Sequence, residues 1–153
     1  MVKVYTDGSC NPQEKIGSWV GIIINNNNKI ILKGVEINSN HNQMELLAVI
    51  NAVKYINMNI ECSEIVIITD SQYVKGIVER KNHLKETNFI TKKGNNLHNS
   101  DLLTELIYFI ENQNLKFTKI KAHQKINPES ENINIEADRL SRKLVRNYLK
   151  ENS

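Results

Sequence analysis

Val2-Lys3-Val4-Tyr5-Thr6-Asp7-Gly8-Ser9 is a β-rich run that reaches a carboxylate and then a glycine, the composition of a strand over Val2 to Thr6 that ends at a turn. A strand that stops on Asp presents that side chain at the edge of a sheet. The pattern returns at Ile65-Val66-Ile67-Ile68-Thr69-Asp70-Ser71, where four apolar residues again lead to Thr-Asp. If the two strands are neighbours, Asp7 and Asp70 lie side by side. Like charges at that range stay ionised only with a metal ion or another cation between them. Further carboxylates in the chain then become candidate ligands.

The 153 residues, 17.6 kDa and 40% hydrophobic content suit a single domain spanning 1–153 with a full core. No apolar run approaches the roughly 20 residues of a membrane helix, and Met1 leads straight into a strand, with no room for a signal or transit peptide. A soluble, cytoplasmic monomer with no membrane partner is expected. Cys10 and Cys62 lie far apart and outside any metal-ligand spacing, as small buried or half-buried thiols in a reducing compartment would. The net charge is only +3, but between Lys75 and Lys93 six cations (Lys75, Arg80, Lys81, Lys85, Lys92, Lys93) face two acids, Glu79 and Glu86. Such a cluster is either a solvated helix face or a contact for a polyanion.

Gly17 to Ile24 and Lys29 to Ile37 are β-rich and flank the Asn25–Asn28 run, whose residues tolerate left-handed turn geometry, so an antiparallel hairpin is expected. With Val2 to Thr6 it makes a three-strand meander. From Gln43 to Asn57, Leu46, Val49, Ile50, Val53 and Ile56 recur at helical spacing, and Met44, Leu47, Ala48 and Ala52 make the other side apolar too. That is a buried helix, and Glu45 in its first turn requires a cap role, a partner or a metal. Ile65 to Thr69 follows as a strand parallel to the first. Ser71 to Arg80 reads as a short helix, Lys81 to Asn96 as a protruding loop or helix, and Ser100 to Asn112 as an amphipathic helix capped by Ser100. A strand over Leu115 to Ile120, a loop from His123 to Asn132 and a helix from Ile133 to Lys150 complete the chain. In that helix Ala137, Leu140, Ser141, Leu144 and Tyr148 share one face, with Asp138 beside it. The result is an α/β fold with a five-stranded mixed sheet, an antiparallel meander plus parallel strands, flanked by helices.

Four motifs stand at the strand ends and helix starts: Tyr5-Thr6-Asp7-Gly8-Ser9, Asn42-Gln43-Met44-Glu45-Leu46, Thr69-Asp70-Ser71-Gln72-Tyr73-Val74, and His123 with Asn134-Ile135-Glu136-Ala137-Asp138-Arg139-Leu140. In this order they make the chain resemble the type 1 ribonucleases H over essentially its whole length. The resemblance implies that Asp7, Glu45, Asp70 and Asp138 are the four metal-binding carboxylates and that His123 is the family's accessory loop histidine. It also implies cleavage of the RNA strand of RNA/DNA hybrids with two Mg²⁺ ions, Mn²⁺ being a substitute. Two-metal phosphodiester hydrolysis needs several hard oxygen ligands and no side-chain nucleophile, and the chain has no convincing Ser-His-Asp or Cys-His arrangement. Taken singly, each acid has a plainer role: Asp7 an Asx turn, Asp70 a helix cap, Glu45 a helix-dipole partner, Asp138 a partner for Arg142 at helical spacing.

By the same resemblance Asn42 and Gln72 read the minor groove, with backbone at Gly8, Ser9 and Cys10 approaching the RNA. His41 stands where the family commonly has the first of two Asn residues, and Asn40 and Gln43 stand near the positions that hold the DNA phosphate. Lys75 to Lys93 takes the place of the family's basic protrusion. Phe89 is its one aromatic residue after Tyr73, so Lys81, Lys85 and Lys92 are expected to hold the hybrid by charge. No separate hybrid-binding domain is expected. The alternatives are a non-catalytic nucleic-acid-binding module of the same fold, which the intact carboxylates oppose, and another nuclease of the superfamily.

Overall fold

The computed structural model describes residues 1–90, 99–119 and 128–152. Five strands, β1 (Val2–Asn11), β2 (Ile16–Asn25), β3 (Asn28–Glu36), β4 (Ile65–Thr69) and β5 (Leu115–Lys119), form one sheet in the order β3-β2-β1-β4-β5. β1 pairs antiparallel with β2 and parallel with β4, while β2–β3 is antiparallel and β4–β5 parallel. This is the expected mixed sheet. The hairpin turns at Asn26-Asn27, with Asn26 left-handed at φ 56°.

Among the described residues four helices cover the sheet: α1 (His41–Asn59), α2 (Gln72–Glu86), α3 (Ser100–Asn112) and α4 (Pro128–Glu151). α1 packs on β1 and β2 from one side and carries α2 and α3 against it, whereas α4 packs on β1, β2 and β3 from the other. Alternation along the central strands feeds both layers. Val2, Val4, Ile23 and Ile67 join the apolar core beneath α1, and Tyr5, Val20, Ile22 and Ile68 join the one beneath α4. α1 is apolar almost all round because it lies between the sheet and the α2–α3 pair, as its nine buried residues require. Among the described residues no helix is long and apolar enough to cross a membrane.

Several features differ from the sequence reading. β1 does not stop at Thr6: it runs through Asp7, which pairs with Val20, to Asn11. What stops is its pairing with β4, which covers only Val2–Tyr5 against Ile65–Ile68. The strand is thus two-sided below Asp7 and open on the β4 side from there on. α2 continues past Arg80 to Glu86 because Leu84 extends the buried stripe of Val74 and Ile77. It ends where Thr87 Oγ1 bonds the His83 and Leu84 carbonyls and Asn88 and Phe89 turn left-handed. Ser100 is the first residue of α3 and not its cap; Asn99 holds that place without a side-chain cap bond. α4 begins at Pro128, five residues before Ile133, and Pro suits a first helical turn, where its missing N–H costs nothing. Asp138 therefore sits well inside the helix. Ile120, His123, Lys92 and Lys93 lie outside the described residues.

Candidate active site

The end of the β1–β4 pairing leaves a cleft of about 570 Å³ whose lining includes Asp7, Glu45, Asp70, Asp138, His41 and Arg142. Asp7 comes from β1, Asp70 from the residue after β4, Glu45 from the first turns of α1 and Asp138 from α4. Asp7, Glu45 and Asp70 each offer an oxygen such that the three lie within 4.8 Å of one another. The cluster depends on close approach of α1 to β1. A Cβ on Gly8 would stand 2.8 Å from the Glu45 nitrogen and 2.8 Å from the Met44 Cβ, distances that a side chain does not tolerate. Asn40 fixes the start of α1, its side chain accepting the Gln43 N–H at 2.8 Å. Ser71 does the same for α2, its Oγ accepting the Val74 N–H at 3.1 Å.

Burial makes the cluster electrostatically strained. Asp7 is 6% exposed and Glu45 2%. Burial, followed by the Glu45 and Asp70 charges, pushes the Asp7 carboxyl up to about 8, with the Gly8 N–H bond to its Oδ1 at 2.9 Å working the other way. Burial also raises Glu45, and the His41 hydrogen bond opposes it. His41 Nε2 lies 3.1 Å from Glu45 Oε1, while Glu45 Oε2 is buried with no hydrogen-bond partner among the described residues. The same contact raises the His41 imidazole, more than its partial burial lowers it. Three converging acids, one with an orphaned oxygen, form a site that a divalent cation would complete. Hard carboxylate oxygens at this spacing suit Mg²⁺, Mn²⁺ or Ca²⁺.

Asp138 lines the cleft but stands outside the three-acid group and accepts from Arg142 Nε at 3.1 Å. Its helix is pinned to the sheet one turn further on. Buried Ser141 accepts a hydrogen bond at its carbonyl from Ser18 Oγ, and its hydroxyl lies 3.1 Å from Ser9 Oγ. Ser141 Oγ also donates to the Asp138 carbonyl at 3.0 Å.

Gly8, Ser9, Cys10, Asn42 and Gln72 all line the cleft, and Asn42 and Gln72 are exposed at its rim. The basic segment is placed differently. Lys85 Nζ is held by both oxygens of Glu111 on α3, at 2.8 and 2.9 Å. Phe89 packs against the core beneath α1 and does not stand out as a stacking platform. Lys81 is half-buried and has no ion pair among the described residues. Sequence reasoning missed one neighbour of the acids, His41. It is four residues before Glu45 and on the same helical face, a spacing that would have exposed the contact. The Asp138–Arg142 pair expected at that spacing is present, while Arg142's place in the cleft depends on how α4 docks.

Residues 1–146 match the family described as RNase H. The chain is 31% identical over 147 residues to a ribonuclease H of Caldicellulosiruptor saccharolyticus, covering 95% of this chain and 96% of that one. It is 34% identical over 145 residues to a ribonuclease H of a Wolbachia strain from Drosophila simulans, covering 94% of each. It is also 32% identical over 133 residues to a ribonuclease HI of Xylella fastidiosa, covering 86% of this chain and 85% of that one.

Proposed function

The chain belongs to the ribonuclease H family, and from that premise we propose that it is an endonuclease hydrolysing the RNA strand of RNA/DNA hybrids with two divalent ions, Mg²⁺ by preference. The observation that carries this reading is the convergence of Asp7, Glu45 and Asp70 oxygens within 4.8 Å, with Asp138 across the same cleft. Asp7, central in the group, would serve both ions, Glu45 and Asp70 one of them, and Asp138 the other. When bound, the ions supply Lewis-acid charge to the phosphoryl oxygens and lower the pKa of the attacking water.

The chain's own residues do the rest. The Gly8 N–H holds Asp7 Oδ1, and His41 holds Glu45 Oε1, which leaves Glu45 Oε2 without a hydrogen-bond partner among the described residues. Arg142 steadies Asp138 through its Nε. Asn42 and Gln72 are placed to test for 2′-hydroxyls in the minor groove, with Gly8, Ser9 and Cys10 bringing backbone close to the RNA strand. His123 is assigned proton transfer or product release, on its motif position.

The test is cleavage of labelled RNA/DNA, RNA/RNA and DNA/DNA duplexes and of single-stranded RNA, in Mg²⁺, Mn²⁺ and chelator. Only the RNA of the hybrid is expected to be cut, and only with metal. Equal cutting of single-stranded RNA or of DNA duplex would leave a metal nuclease without hybrid specificity.

A further inference from the structure

Apart from Arg142, which steadies Asp138, the outward face of α4 has no part in the chemistry described above. From Arg139 to Lys150 the helix carries five cations, Arg139, Arg142, Lys143, Arg146 and Lys150, and no acid. At about 100° per residue they fall within an arc of about 100°. Ala137, Ser141 and Val145, which are buried, occupy the opposite side, and all five cations are exposed. By the helical rise the row is about 16 Å long.

Four cations elsewhere in the fold are neutralised locally: Lys29 by Glu136, Lys54 by Glu105, Lys85 by Glu111 and Lys116 by Glu64. Arg139, Lys143 and Arg146 have no carboxylate partner among the described residues. Of the acids near the row on the same helix, Asp138 is bonded to Arg142 and Glu136 to Lys29. The row is also continuous with the active cleft, since Arg142 belongs to both. Unneutralised arginines in a line match a polyanion, and guanidinium forks match phosphate oxygens in particular. A row of about 16 Å spans about five base steps of duplex.

We propose that the outward face of α4 is a second phosphate-binding track, on which the substrate duplex rests its backbone as it leaves the cleft. The track rests on the hybrid-nuclease reading above. It adds to the charge of the α2 segment, where Lys85 is already engaged by Glu111.

The test is the triple variant Arg139→Gln, Lys143→Gln, Arg146→Gln, which keeps good helix formers in α4. Binding to hybrids of about 24 and about 8 base pairs is measured in chelator across a salt series. For the long hybrid, the slope of log affinity against log salt should become shallower by about 2 to 3, at about 0.7 to 0.9 per lost contact. Affinity at roughly 0.1 M salt should fall about tenfold or more, while affinity for the short hybrid and turnover at saturating hybrid stay as in the wild type. A control variant, Lys54→Gln with Lys116→Gln, removes paired cations only and should leave the slope unchanged. Unchanged slope and affinity in the triple variant, or an equal change in the control, would overturn the track. If the wild type itself neither binds nor cuts hybrid, the functional reading falls first, and the track falls with it.

Discussion

His41 Nε2 lies 3.1 Å from Glu45 Oε1 across one turn of α1, an exposed imidazole set against a buried carboxylate. The carboxylate raises the imidazole's pKa, and the imidazole restrains the rise that burial imposes on Glu45. A divalent ion entering among Asp7, Glu45 and Asp70 must displace the protons this arrangement retains. Asp7, pushed up to about 8, holds one at neutral pH. Metal affinity should therefore rise with pH, by up to about tenfold per unit for each proton displaced, and level off above about 8. His41→Asn should release fewer protons. Calorimetric titration with Mn²⁺ in buffers of different ionisation enthalpy counts them, and a pH-independent affinity would refute the raised Asp7.

The same acids set the stability of the metal-free protein. Asp7 and Glu45 are both raised in the fold, so the folded state holds more protons than the unfolded one. Their contribution is fully present below the ordinary carboxylate range and is lost as pH rises towards about 8, the Asp7 value. Metal-free stability should fall across that window, and saturating Mg²⁺ should reverse the fall. Asp7→Asn should flatten the profile and raise the metal-free protein at pH 8 by about 1 to 3 kcal/mol, the scale of an unsatisfied buried group. Asp70→Asn should do the same more weakly, because Asp70 is exposed. Either change should cut turnover by at least about 10³-fold, since several kcal/mol of charge stabilisation goes with the ligand. Denaturant melts with and without chelator, beside hybrid cleavage, check both halves.

The strands and helices that position the acids were legible because each declares itself locally. β4 is four apolar residues and a threonine, and α1 repeats its apolar residues at helical spacing. The pairing of Asp7 with Asp70 followed from the repeated Thr-Asp endings. What was not legible depends on tertiary contact. No local signal tells that β1 outruns its partner β4, since only the length of β4 sets where the cleft opens. Leu84 lies too far along a polar stretch to mark α2 as continuous, and its burial comes from the core beneath α1. The engagement of Lys85 by Glu111 joins two helices whose angle no periodicity encodes.

Gly8 offers a test of how tightly the site is assembled. A methyl group there would meet the backbone nitrogen of Glu45 and the Cβ of Met44, both at 2.8 Å. Neither is the end of a flexible side chain, so α1 must shift away from β1. Gly8→Ala should cost about 1 to 3 kcal/mol of stability, the usual range for overpacking. It should also weaken metal binding, since Glu45 moves with the helix. A Gly8→Ala protein with wild-type metal affinity and stability would mean that α1 has slack at its first turn.

Phe89 and Lys85 give the sharpest contrast between packing and binding, because the sequence places both in a basic protrusion and the fold gives both internal partners. Phe89 follows the end of α2 in a left-handed conformation at φ 59°, its N–H bonded to the Leu84 carbonyl at 3.0 Å and its ring against the core beneath α1. Phe89→Ala should therefore lower stability by about 1 to 3 kcal/mol, less than for a fully buried ring, and leave hybrid affinity within about twofold once folded. A stacking platform would behave oppositely, losing about 1 to 3 kcal/mol of binding. Lys85→Ala breaks an exposed ion pair with Glu111, worth at most about 1 kcal/mol, and frees Glu111 to repel phosphate. Its salt slope should change by less than the 0.7 to 0.9 or so expected for a direct phosphate contact. Lys81→Ala, with no such partner among the described residues, should show the full change. Melting curves beside salt-dependent hybrid binding separate the three variants, and a Lys85 slope change equal to that of Lys81 would show that the Glu111 pair opens on the substrate.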